Sequence, residues 1–171
     1  MHNYSNILHE NSWLESVKDG AWRFINQMQE DNFSYCKFSL KGDIYSKNDN
    51  WGLANLVFLT RILYVTGLLG KLDSKQKHNI YKNIIKHTKK NGYINDSIIT
   101  NTNMFEKIGT YLNVFNKNIL NNKIKQTKVA ETRQSQAAIY LLGKKPLKIF
   151  KDLSLNEKQI TKYVSSLDWS K

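Results

Sequence analysis

Two stretches of this chain, Asn50 to Gly70 and Val129 to Gly143, are apolar on nearly every side and carry only sparse polar residues, the pattern of helices enclosed by other helices. Each follows a polar amphipathic helix and a loop. Outer polar helices that alternate with inner apolar ones mark a helical-hairpin array, in which the inner helices wall a common core or cavity.

The first outer stripe is Trp13, Leu14, Val17, Ala21, Phe24, Ile25 and Met28, at helical spacing, with Ser12 and Glu15 as a capping box at its start. This predicts a helix from Ser12 to about Gln29, with residues 1–11 as a mobile terminus. Glu30 to Asp49 keeps no period and reads as an ordered loop with a short extended piece around Tyr35 to Leu40. The first inner helix is expected to start near Asn50, capped by Asp49 or Asn50, and to end at Gly67 or Gly70.

A second outer helix, Ser74 to about Lys90, buries Ile80, Ile84 and Ile85, and Asn91-Gly92 closes it as a turn. A third, capped by Asn103 with Glu106, carries the stripe Met104, Phe105, Ile108, Tyr111, Leu112, Phe115 and Ile119. Asn121 to Lys128 reads as a solvated connection and Val129 to Leu142 as the second inner helix, ended by Gly143 and Pro146. Ser154 with Glu157 opens a last helix through Ile160, Tyr163, Val164 and Leu167. Strand patterns are weak throughout. The class is all-α, an array of helical hairpins in a single domain over residues 1–171.

The pattern also repeats. Phe24 to Phe33 resembles Ile84 to Tyr93, each a helix end, a polar turn and an aromatic residue, and Val164 to Trp169 opens a third copy. The inner helices close alike, Leu63-Tyr64-Val65-Thr66-Gly67 against Ile139-Tyr140-Leu141-Leu142-Gly143. Stacked hairpins bury their apolar faces against neighbours, so a lone pair leaves an open edge. Self-association, or a second chain that completes the ring, is the expected consequence.

Lys89-Lys90-Asn91-Gly92-Tyr93-Ile94-Asn95-Asp96 resembles the glycine-aromatic turn after an outer helix in α/α-toroid proteins of the terpenoid cyclase and protein prenyltransferase superfamily, an architecture shared with polysaccharide lyases and six-hairpin glycosidases. Ala130-Glu131-Thr132-Arg133-Gln134, followed by Ala137 to Gly143, is similar to an inner-helix start in such proteins. The resemblance spans roughly Trp13 to Trp169 and is one of architecture. A full ring needs far more chain, so it implies a partial toroid, either the N-terminal part of a larger one or a reduced relative. The Asp-x-Asp-Asp acid motif of squalene cyclases is missing, and Cys36 has no His at the spacing of a prenyltransferase zinc site. The resemblance therefore implies a non-catalytic or incomplete terpenoid cyclase-like domain, in the setting of bacterial surface-polysaccharide biosynthesis, without cofactor or metal. An enzyme acting on a polyprenyl or glycan substrate is the alternative.

Charge adds a further reading, a basic module that binds nucleic acid, since the net charge is +12. Of the 26 basic residues, however, only Arg23, Arg61 and Arg133 are arginine, and grips on phosphate and base edges favour the arginine fork. A solvated lysine-rich surface is the better account. Cys36 stands alone, which excludes an intramolecular disulfide and a cysteine-based zinc cluster. The N-terminus lacks a basic segment followed by an apolar one, so a cytoplasmic location is expected. Asn50 to Gly70 has the length of a membrane span, but Arg61 at its middle would cost roughly 2.5 to 3.5 kcal/mol on insertion. Stable membrane insertion is not expected.

The candidate binding residues cluster at the starts of the two inner helices. Glu131, Arg133 and Gln134 either cap a helix end, where Glu131 complements the dipole, or face a cavity mouth that takes an anionic or hydroxylated ligand. Asp96 pairs with Arg133 in either case. At the first inner helix stand Asp49 and Trp51, the latter a stacking face for a sugar or polyprenyl chain or else a core anchor. Arg61 and Asn55 need partners if buried, and Glu10, Glu15 and Asp43 are available to the arginine. His2 and His9 fall in the terminus, and His78 and His87 on the polar side of an outer helix, so all four read as surface residues. No phosphate loop, Gly-x-Ser-x-Gly or His-Glu-x-x-His motif is present, and no catalytic residue is assigned.

Overall fold

The computed structural model describes residues 4–43, 51–97, 117–148 and 150, together with Lys158, Thr161 and Ser165, which are helical. Helix α1 (Tyr4–Met28) leads into a two-stranded antiparallel hairpin, β1 (Gln29–Glu30) and β2 (Tyr35–Cys36), in which Gln29 faces Cys36 and Glu30 faces Tyr35. Helix α2 (Leu53–Val65), a 3₁₀ turn (Leu68–Lys71), helix α3 (Ser74–Ile85) and helix α4 (Lys117–Leu141) follow. The described residues are thus mostly α, with the one small sheet. No helix among them is long and apolar enough to cross a membrane.

The core lies where α2 meets α4 and α3. Leu53, Leu56 and Leu63 from α2 pack with Ile80 and Ile84 from α3, Ala138 and Ile139 from α4, and Phe33 and Ile94 from the two loops. Helix α3 starts at Ser74, as its sequence predicts, because Asp73 and Gln76 form a reciprocal cap: the Gln76 N–H donates to Asp73 Oδ1 at 2.7 Å and the Asp73 N–H to Gln76 Oε1 at 3.0 Å. It ends at Ile85, earlier than the expected Lys90, and the chain then turns through Gly92.

Three boundaries differ from the sequence expectation. Helix α1 begins at Tyr4, so Ser12 is an interior helical position and its capping box starts nothing. Its apolar stripe is also not buried along its length: Ile25 and Met28 enter the core, whereas Trp13, Leu14, Val17 and Phe24 are exposed, Trp13 by 68%. The expected solvated connection, Asn121 to Lys128, is continuous helix within α4. No glycine or proline interrupts the chain between Gly109 and Gly143, and lysine is a good helix former, so nothing stops α4 where charge density rises. The third outer helix up to Asn116, most of the last helix, and Asp49 lie outside the described residues.

The internal repeat is visible in three dimensions. After α1 the chain forms the Gln29–Cys36 hairpin, and after α3 it forms a tighter turn closed by an antiparallel bridge between Thr88 and Ile94. Both inner helices end on a glycine with the same left-handed φ of 71°, Gly67 and Gly143. The preceding Tyr64 and Tyr140 both face outward.

The first hairpin turn carries three successive residues with positive φ, Asp31, Asn32 and Phe33. Asp and Asn tolerate this conformation, but Phe does not do so readily. Phe33 is compensated by full burial, by stacking on Trp22 at 6.4 Å, and by its N–H donating to Gln29 Oε1 at 3.0 Å. Helix α3 clamps the same turn, since Gln76 and Asn79 donate to Asn32 Oδ1 and the Asn32 carbonyl.

Candidate functional site

Helix α2 begins with an unusual cap. Gly52 occupies the N-cap with φ 97° and has no side chain to receive the first helical N–H groups. Asp96, far along the chain in the loop after α3, does so instead. Its Oδ2 accepts from the Gly52 N–H at 3.2 Å and from the Leu53 N–H at 3.1 Å. A carboxylate there satisfies two buried donors and complements the positive end of the helix. The helix starts at Leu53 with Gly52 as its N-cap, later than the expected start near Asn50, and Asp49 and Asn50, the expected caps, lie outside the described residues.

Asp96 is held from two further sides. Its own N–H donates to Glu131 Oε2 at 2.9 Å, and its Oδ1 lies 3.3 Å from His87 Nδ1 in an orientation that falls short of a hydrogen bond. One residue beyond Glu131 on α4, Thr132 accepts the Ile94 N–H at 3.0 Å on its Oγ1 and donates to the Lys128 carbonyl at 2.7 Å. The loop Ile94–Asp96 is thereby fastened to the middle of α4, and through Asp96 to the start of α2. His87 is 1% and Asp96 6% exposed.

Burial sets the protonation states. Desolvation pushes Glu131 up from 4.5 to about 7, against the pull of the Asp96 N–H, while the nearby Asp96 charge adds to the rise. Asp96 is also raised by burial, opposed by its bonds to Leu53 and Gly52. His87 moves the other way, down to about 4, first by burial and then by the charges of Lys86 and Lys89. At neutral pH the imidazole is uncharged, so its closeness to Asp96 is not an ion pair.

The residues singled out from sequence distribute unequally. Asp96 and Glu131 come together. Arg133 and Gln134 are exposed on α4, and the groups on the Asp96 carboxylate are Gly52, Leu53 and His87 rather than the arginine expected there. Glu131 lies in the middle of α4, not in its first turn, so its role is not that of a dipole cap. Trp51 is buried, with its ring 6.4 Å from that of the exposed Phe38. Asn55 donates to the Cys36 carbonyl at 3.0 Å, and Arg61 is only half-buried, so its charge keeps access to solvent.

His87 corrects the surface reading of the histidines. The clue lay in spacing: Ile80, Ile84 and His87 fall at i, i+4 and i+7, so the histidine continues the buried stripe of α3. Thr132 and Ser135 were missed for the opposite reason, as polar residues on the inward face of α4.

Two clefts flank this cluster. One, of about 210 Å³, lies between α2 and α4; its walls include Leu53, Val57, Phe58 and Ala130, with Glu131 and Gln134 at its edge. The other, of about 440 Å³, opens between the loop after α3 and the first half of α4. Among the described residues, no group of three or more His, Cys, Asp and Glu is arranged to hold a metal ion. Comparison of the chain with protein-family models, with curated proteins and with solved structures gives no match.

Proposed function

We propose that this chain is a non-catalytic helical-hairpin domain of the α/α-toroid type, in which Glu131 fastens the turn of its own hairpin and Asp96 joins that turn to the preceding hairpin, rather than performing chemistry. The observation that carries the reading is a contact made twice. If Phe33 is matched to Tyr93, Cys36 matches Asp96; if Gly67 is matched to Gly143, Asn55 matches Glu131. In the first hairpin Asn55 donates to the backbone carbonyl of Cys36, and in the second the backbone N–H of Asp96 donates to Glu131. The same inner-helix position grips the same turn position in both. An amide serves in one and a carboxylate in the other, so the shared task is fastening a turn to an inner helix.

Under this reading the toroid resemblance describes architecture, and a role beside surface-polysaccharide synthesis is that of a binding or assembly domain. A direct test compares Glu131→Gln with wild type against polyprenyl phosphates and oligosaccharides. The glutamine keeps an oxygen for the Asp96 N–H, so a folded variant without any change in ligand turnover is expected. Turnover by wild type that Glu131→Gln abolishes while the variant still unfolds in one cooperative transition would overturn the proposal.

A second reading rests on one feature. Glu131 borders the apolar 210 Å³ cleft with its carboxyl near 7, the range in which a general acid works at neutral pH. The alternative of an enzyme acting on a polyprenyl or glycan substrate is supported by that pairing, and the same variant separates the two.

A further inference from the structure

The larger cleft, about 440 Å³, falls in the size range of small-molecule sites and lies between two elements. One wall is the turn after α3, closed by the Lys89 N–H donating to the Tyr93 carbonyl at 2.7 Å and the Gly92 N–H donating to the Lys89 carbonyl at 3.0 Å. The other is the stretch of α4 bearing Asn121, Lys125 and Lys128. The two walls are fixed to each other just beyond the cleft by Thr132 on Ile94 and Glu131 on Asp96.

Lys89, Lys125 and Lys128 converge on this space, and among the described lining residues there is no carboxylate. None of the three makes an ion pair with a described acid. The Lys89 charge also acts on Asp96 and Glu131 behind the turn, whereas Lys125 and Lys128 have no such described partner, so an anion entering the cleft meets at least two ammonium groups that no described acid engages. The remaining polar lining is amide, with Asn91 and Asn121 offering donors and acceptors suited to hydroxyl groups, and Tyr93 supplies an aromatic wall stiffened by its edge-on contact with Phe150 at 4.5 Å. Arginine, the residue of bidentate phosphate and base recognition, does not line it.

We infer that this cleft binds a small polyhydroxylated anion, the chemistry shared by a sugar phosphate and a uronic acid. The site is separate from the Asp96–Glu131 fastening, so it stands whether or not that cluster is purely structural.

The test is calorimetric titration of the full chain with glucose 1-phosphate, galacturonate, uncharged glucose, inorganic phosphate and a short single-stranded RNA. Binding of either sugar anion, tighter than glucose and than inorganic phosphate, is expected, and which of the two binds identifies the anionic group. Lys125→Gln/Lys128→Gln should weaken that binding about tenfold or more, the effect of losing charge-assisted hydrogen bonds. Lys75→Gln/Lys82→Gln, the same charge change on the exposed surface of α3, should leave it unaltered, and both double variants should melt as wild type does. Equal losses in both double variants, no binding of either sugar anion at millimolar concentration, inorganic phosphate binding as well as glucose 1-phosphate, or RNA binding more tightly than both sugar anions would each overturn the inference.

Discussion

The carboxylate of Asp96 caps the helix that begins at Leu53, accepting the Leu53 N–H at 3.1 Å while its second oxygen faces His87. The turn of the second hairpin thus completes the inner helix of the first. Replacing Asp96 by Ala removes the acceptor from two buried N–H groups, and the expected loss is about 2 kcal/mol, within the range for N-cap removal. Asp96→Asn should cost less, since its amide oxygen can still accept. Denaturant titration gives both values, with an unchanged m-value expected for each.

The two titrating neighbours of Asp96 oppose one another. Glu131, raised from 4.5 to about 7, contributes stability that is present below pH 4.5 and is lost as the pH rises toward 7. His87, lowered from 6.5 to about 4, contributes stability that is present above pH 6.5 and is lost as the pH falls toward 4. Asp96 acts in the direction of Glu131. Glu131→Gln should therefore gain on wild type as the pH rises from 4.5 to 7, by at most about 1.4 kcal/mol per pH unit. His87→Gln should show the reverse, losing its disadvantage toward pH 4. Melts over pH 4 to 8 check both signs, and parallel curves for wild type and Glu131→Gln would refute the assignment.

Thr132 tests the fastening of the loop to α4. Valine matches its shape but leaves the buried Ile94 N–H without its acceptor, so Thr132→Val should destabilise by about 1 to 3 kcal/mol. Thr132→Ser keeps the hydroxyl and should lose less. Hydrogen exchange at Ile94 should accelerate in the valine variant alone.

The equivalent contact in the first hairpin makes a matching case. Asn55→Asp sets a carboxylate against the Cys36 carbonyl in place of a donor, and at neutral pH should cost more than Asn55→Ala. An unfolding series at pH 4 and pH 7 separates the two, because protonating the aspartate restores a donor.

Gly52 combines a φ of 97° with close contact: a Cβ there would lie 3.0 Å from Tyr35 Cε2. Gly52→Ala should lower stability by at least about 1 kcal/mol through backbone strain alone, with the tyrosine ring forced to move. Gly20, inside α1 with open space around it, should accept alanine with no loss or a gain of up to about 1 kcal/mol. Thermal melts of the two variants should shift in opposite directions or differ by several degrees.

Local signals determined much of this molecule. The stripe of Ile80 and Ile84, the Asp73–Gln76 cap beside Ser74, and the glycines that close α2 and α4 all act within a few residues of themselves, so helix existence and several ends followed from the chain alone. The repeat was legible for the same reason, since each copy carries its own turn and closing pattern. Decisions that join distant segments were not. Leu53 begins its helix where Asp96 reaches it from the next hairpin, and an acceptor so far along the chain leaves no local signal at the helix start. Helix α1 likewise shows a regular apolar stripe, yet periodicity states only which side can be buried, and the exposure of Trp13 depends on what packs beside it. His87, polar by composition and buried by position, and Glu131, acidic and set in the middle of a helix, took their roles from neighbours that only the folded chain brings within reach.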